Sequence, residues 1–215
     1  MFVPLVDILR CVRPHDETWL VASIDLAEDR DIITGTLGCP ICLAEYSIRD
    51  GVVYFASERP ESPQSARAAD APAPIEDDAM RLAAALDLTD ARKVAVLQGA
   101  WGASAQLVRG LSPAQLLLVN GPANIVSGDG ISIVVAETAP LAQGSVDAVA
   151  VDASVSEAMI ASLVRSLRGK GRMLGPSAAA IPDGLVEIAR DEQGWVASLD
   201  VKVSVSAPVQ LKRRE

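Results

Sequence analysis

The run KVAVLQGAWGAS, residues 93–104, decides the fold. Lys93–Leu97 is a short aliphatic strand, QGAWGAS is a turn of small residues, and a helical pattern follows to about Gly110. Reading outward, QLLLVN at Gln115–Asn120, Ile131–Ala136 and Val146–Val151 are further apolar runs of strand length, and Arg172–Gly175 is a fifth short strand. Helical spacing marks Ile75–Leu88, with acids in its first turn, and Ser156–Arg168, with Ser156 as N-cap and Gly169 just beyond its end. Continuous aliphatic strands alternating with helices predict an α/β, Rossmann-like domain: a mostly parallel sheet buried on both faces. A helix over Asp183–Arg190 is expected next. Strands over Trp195–Val203 and Pro208–Arg213 then form an antiparallel pair at the sheet edge.

Half of the 215 residues are apolar but only 3% are aromatic, so the core must be built from Ala, Val, Leu and Ile. That favours helix–sheet layers over an aromatic-rich sandwich. No apolar run approaches the ~20 residues of a membrane span. The opening MFVPLVDILRCVRPHDE lacks a basic n-region and a small-residue cleavage site, so a cytoplasmic protein is expected. The net charge of −9 argues against a general nucleic-acid binder, which needs a basic surface to displace counterions. The charge is uneven: residues 1–58 hold four Arg, no Lys and ten acidic residues. Such a unit suits a basic protein partner better than a phosphate backbone.

Between Ser57 and Pro74, SERPESPQSARAADAPAP holds four of the thirteen prolines and no Val, Ile, Leu, Met or aromatic residue. It reads as a linker, since it has too little apolar surface to offset its ordering entropy. The expected organisation is a small N-terminal unit over 1–56, a linker over 57–74 and the α/β domain over 75–215.

All three cysteines and the single histidine fall in the first 42 residues: Cys11, His15, Cys39 and Cys42. C-x3-H, then 23 residues, then C-x2-C is the pattern of a closed tetrahedral zinc site. Gly38 and Pro40 in LGCPIC suit the tight knuckle of its second half. Four protein ligands leave no open position for a substrate water, so such a zinc is structural, and a unit under 60 residues needs that staple. The plainer reading is three buried free cysteines beside an incidental histidine.

LGCPICLAEYSIRDGVVYF resembles the small zinc-binding activator subunits of tRNA and rRNA methyltransferases. Cys39, Cys42, Tyr46, Ile48, Asp50 and Gly51 stand at that family's spacing, and LVDILRC resembles its leucine-rich entry into the first cysteine. Ser47 stands where the family has proline, and Pro14-His15 where it has a further cysteine; His15 takes that place with a one-residue shift.

The α/β part resembles the class I S-adenosylmethionine-dependent methyltransferases. The carrying residues are VAVLQGAWGAS, Asn120, VVAETAPLAQGSVDAVAVDAS and SLVRSLRGKGRML. The resemblance implies a cofactor site at Gly99, Gly102, Ser104, Asn120 and Glu137. It also places Asp147 at the head of the fourth strand and Asp152 at its end, where an acceptor is positioned. The departures bear on the cofactor. The acid that precedes the glycines is replaced by Leu97 or Val96, Trp101 fills the turn, and Asn120 offers a neutral amide where the family has a ribose-binding carboxylate. Losing both acids predicts weak or absent S-adenosylmethionine binding, by about a hundredfold or more.

Two functions remain open. One is a non-catalytic scaffold that binds another protein. The other is an active methyltransferase carrying its zinc activator module in cis, with Asp152 orienting the acceptor and catalysis resting on positioning. Ser104 and Ser177 have no histidine partner outside the Cys/His cluster, so a Ser-His-Asp hydrolase is excluded, and no P-loop motif is present.

Overall fold

The computed structural model describes residues 1–55 and 75–199. The expected linker over 57–74 and the expected strand Pro208–Arg213 lie outside the described residues.

The N-terminal unit opens with a 3-10 helix, Val3–Ile8, which buries Leu5 and Val6. A four-stranded antiparallel meander follows: β1 (Val21–Glu28), β2 (Asp31–Gly38), β3 (Glu45–Arg49) and β4 (Val52–Tyr54). The larger part contains α1 (Glu76–Ala85), β5 (Val94–Gln98), a 3-10 turn (Gly99–Ser104), α2 (Ala105–Leu111), β6 (Gln115–Val119) and β7 (Ile131–Val135). It ends with β8 (Val146–Ala150), α3 (Glu157–Ser166), β9 (Leu167–Pro176), β10 (Leu185–Arg190) and β11 (Gly194–Leu199).

All eleven strands form one sheet in the order β1-β2-β3-β4-β7-β6-β5-β8-β9-β11-β10. From β4 to β9 every neighbour is parallel; β11 and β10 close one end antiparallel. The fold is therefore α/β, with a mostly parallel sheet and an antiparallel edge. The N-terminal meander is continuous with it, because Val52, Val53 and Tyr54 pair with Ile133, Val134 and Val135.

Every residue of β5 and β7 is buried, as a parallel sheet covered on both faces requires. Val94 and Val96 face one apolar cluster with α3 residues Met159 and Leu163; Ala95 and Leu97 face the other with α1 and α2 residues Leu82 and Val108. No helix among the described residues is long and apolar enough to cross a membrane.

Ser156 caps α3 as its position predicts, accepting from the Met159 amide at 3.3 Å. The helix stops sooner than expected, at Ser166, and runs straight into β9; Gly169 lies within that strand. The expected helix over Asp183–Arg190 is a strand. Asp191 makes the difference: its amide donates to the Gly194 carbonyl (2.9 Å), and its side chain accepts from the Gln193 and Gly194 amides, folding β10 back on β11. Pairing of Leu185, Val186, Glu187, Ala189 and Arg190 with β11, around a register shift at Ile188, overrides the helical spacing.

Candidate functional site

The knuckle after β2 and the segment after the first 3-10 helix bring Cys11, His15, Cys39 and Cys42 together, with their ligand atoms all within 4.8 Å of one another. Cys11 and Cys42 sulfurs are 3.6 Å apart, and Cys39 sulfur lies 3.4 Å from His15 Nε2. A tetrahedral zinc with bonds of about 2.3 Å to sulfur sets its ligands roughly 3.5–3.8 Å apart, so this donor set fits. His15 Nδ1 lies 2.7 Å from the Asp16 carbonyl, which fixes the tautomer that leaves Nε2 free for a metal and raises the ring's proton affinity. The Cys39 thiol is lowered to about 6: burial pushes it up, but the amides of Cys42 and Ile41 and the neighbouring thiols outweigh burial. Tyr46, on β3, reaches under the cluster with its hydroxyl 3.1 Å from Cys11 sulfur; burial and that contact keep it protonated.

At the carboxyl end of the parallel sheet, strand order reverses between β5 and β8, which makes the crevice where such sheets bind ligands. Asp152, two residues past β8, reaches across it. One carboxylate oxygen accepts from the Ala100 amide at 2.5 Å; the other accepts from the Ser154 amide at 2.8 Å and the Ser154 hydroxyl at 2.5 Å. Burial pushes this carboxyl up, but those three donors outweigh it and hold it below the usual carboxylate range. Gly99 has φ of +67°, and a Cβ there would strike the Asp152 carboxylate. Trp101 donates its indole N–H to the Val151 carbonyl at 3.2 Å and packs against the α1–α2 cluster. A Cβ on Gly102 would meet the Pro122 ring, and Ser104 is buried in the turn.

A cavity of about 380 Å³ remains beside this turn, lined in part by Asp78, Trp101, Ser104, Asp152, Pro176 and Gln193. Asn120 does not face it. With φ of +55°, Asn120 donates through Nδ2 to the Ala136 carbonyl (2.8 Å) and accepts at Oδ1 from the Ala136 amide (3.0 Å), clasping the ends of β6 and β7. Glu137 lines a separate hollow of about 320 Å³, opposite Arg13 and Pro14 of the metal loop and beside Phe55. Gly99, Ser104 and Asp152 are thus brought together, while Asn120 and Glu137 lie apart from their cavity. Asp147 accepts from the Val94 amide (2.9 Å) and pairs with Arg168 (3.1 Å), joining the starts of β5, β8 and β9.

Three residues at the turn carried no sequence signal as site groups. Asp78 reads as a solvated helix start, yet it lines the cavity. Gln193 joins it from the β10–β11 turn. Gln98, at the tip of β5, is buried with its carboxamide oxygen lacking a partner among the described residues.

No family model and no curated protein matches this chain. Similar solved structures include geranyl diphosphate C-methyltransferase from Streptomyces coelicolor A3(2), 16% identical with a TM-score of 0.39, over 46% of this chain and 42% of that one. Phosphoethanolamine N-methyltransferase 2 from Haemonchus contortus is 11% identical with a TM-score of 0.39, over 50% of this chain and 30% of that one. The cyclase SpnF is 14% identical with a TM-score of 0.37, over 50% of this chain and 48% of that one. This chain spans less than half the length of each. At such values the likeness says nothing about chemistry.

Proposed function

We propose that this chain is a non-catalytic, partner-binding protein built on a methyltransferase-like sheet, with a structural zinc in an activator-like N-terminal unit. The observation that carries this reading is the contact of Asp152 with the glycine turn. The Ala100 amide, which a bound cofactor would need, is taken by the chain's own carboxylate. The Trp101–Val151 bond and the Asn120–Ala136 clasp occupy two further groups of the expected site.

Magnitudes favour this reading. Opening the turn sacrifices one charge-assisted hydrogen bond, worth about 1.5–3 kcal/mol, and one neutral one near 1 kcal/mol. That is about two to three decades of affinity, enough to turn a ~10 μM site into a millimolar one. Zinc, held by Cys11, His15, Cys39 and Cys42, would supply no chemistry to a substrate; it would fix the knuckle that starts β3.

Calorimetric titration with S-adenosylmethionine and S-adenosylhomocysteine tests the proposal. No heat, or a Kd near millimolar, is expected. A Kd at or below about 10 μM, roughly −7 kcal/mol, overturns it.

A second reading, an active S-adenosylmethionine-dependent methyltransferase, draws on the cavity of about 380 Å³ that persists beside Asp152 and Trp101. In that case Trp101 leaves Val151, Glu137 serves the adenine end, and Asp152 orients the acceptor. The same titration separates the two.

A further inference from the structure

β1 is an edge strand with an unused side. It pairs with β2 alone, and seven of its eight residues are exposed. Among the described residues, none outside β2 bonds to the backbone of 21–28. A strand left this way presents a row of unpaired N–H and C=O groups, a template for another chain. Its side chains are apolar where exposed edges are normally blunted: Val21 is 58% exposed, Ile24 47% and Leu26 49%, with Trp19 at 66% just before them. The register shifts after Ile24, so Val21 to Ile24 is the straighter stretch, and Trp19 just before it is bridged to Arg10.

Charge says what kind of strand fits. Residues 16–31 carry six acids against Arg30. Glu17 is paired with Arg10 at 3.2 Å and Asp31 lies 4.0 Å from the N-terminal ammonium, which leaves Asp16, Asp25, Glu28 and Asp29. A second copy of β1 laid antiparallel would bring two edges of the same negative charge together, which is unfavourable. The opposite sheet edge, β10, differs: its Glu187 is already neutralised by Arg190 at 3.0 Å.

We infer that the free edge of β1 receives a basic, extended segment of a partner protein, added as a twelfth strand with Lys or Arg alternating with aliphatic residues. Main-chain hydrogen bonds would supply affinity, and Asp25 and Glu28 beside the exposed Ile24 and Leu26 its selectivity. The inference rests on the partner-binding reading above, but it is tested without reference to the cofactor turn.

The probe is an acetylated octapeptide alternating valine and lysine, added to the full chain and followed by amide hydrogen exchange. Two controls are the same peptide with glutamate for lysine, and the lysine peptide N-methylated along one edge. Expected is about fivefold or greater slowing across Val21–Glu28 with the lysine peptide, and at least tenfold weaker binding of both controls. Raising salt from about 0.05 to 0.5 M should weaken the lysine peptide several-fold. Ile24→Lys, at a half-exposed position that tolerates it, should lose the lysine peptide and gain the glutamate one.

Four outcomes of the peptide titration overturn the inference. They are equal binding of the lysine and glutamate peptides, indifference to N-methylation, protection at Leu185–Arg190 instead of β1, and no protection at about 1 mM peptide. A dimer whose β1 amides are slow without any peptide would assign the edge to a second copy and equally overturn it. S-adenosylmethionine binding would sink the non-catalytic reading while leaving these results unmoved.

Discussion

The carboxylate of Asp152 rests directly on the Cα of Gly99, and only a hydrogen atom fits between them. Two residues 53 positions apart thereby close the turn that the glycine would otherwise open to a ligand. Gly99→Ala adds a Cβ at positive φ and into that carboxylate. The expected loss is about 2–4 kcal/mol, read from the denaturant midpoint. Asp152→Ala should cost less in the Gly99→Ala background than in the parent, and a double-mutant cycle measures that coupling. Strictly additive losses would mean the two residues do not meet.

Acid should act on the same pair. The Asp152 carboxyl is held below its ordinary value, so its contribution is fully present above the unfolded value near 4 and is lost as pH falls through the folded one. Stability measured below about pH 4 should fall less steeply for Asp152→Asn than for the parent. An unchanged acid limb would show that the carboxyl is not the group being titrated.

Elemental analysis of protein purified without added metal should find close to one zinc per chain, and Cys39→Ser should lose it. Hydrogen exchange should then quicken through residues 1–55. Because β4 is the hydrogen-bonded neighbour of β7, protection at Ile133–Val135 should fall as well. Metal-free protein with undiminished protection over 1–55 would contradict the zinc assignment.

Asn120→Asp restores the acid that a cofactor site would want, yet it should destabilise the chain. One carboxylate oxygen still accepts from the Ala136 amide, but the other would replace Nδ2 and face the Ala136 carbonyl. About 1–3 kcal/mol is expected, visible in thermal or denaturant unfolding. A neutral or stabilising result would mean that the clasp does not hold β6 to β7.

Local chemistry was legible in the sequence wherever it acts over short range. The aliphatic runs at 94–98, 115–119, 131–135 and 146–150 are strands because only a sheet buried on both faces accepts such continuous burial. Cys11, His15, Cys39 and Cys42 were legible as a cluster because few other reasons gather every cysteine and histidine of a chain. What escaped depends on tertiary pairing. Leu185–Arg190 has helical spacing, and only its partner β11 makes it a strand. Asn120 stood at the ribose-acid offset, but a positive φ turns its amide onto Ala136, which no spacing rule encodes. The reach of Asp152 to Gly99 belongs to strand order, since β5 and β8 become neighbours only when the sheet is assembled.

The strand ladder between the two parts of the sheet is three residues long, Val52 to Tyr54 against Ile133 to Val135, but the join is wider. Leu9 bridges Leu141, the Arg10 amide donates to the Pro140 carbonyl at 2.8 Å, and the Ala142 amide donates to the Ile8 carbonyl at 2.8 Å. Met1, Leu5 and Leu9 share one core with Val134 and Leu141. Between separate chains this join would have to offset the whole entropy of association. Here residues 56–74 join the two sides covalently, so their association is intramolecular. Severing the chain between Phe55 and Ile75, with no contact in the join altered, should turn a concentration-independent fold into one that comes apart on dilution.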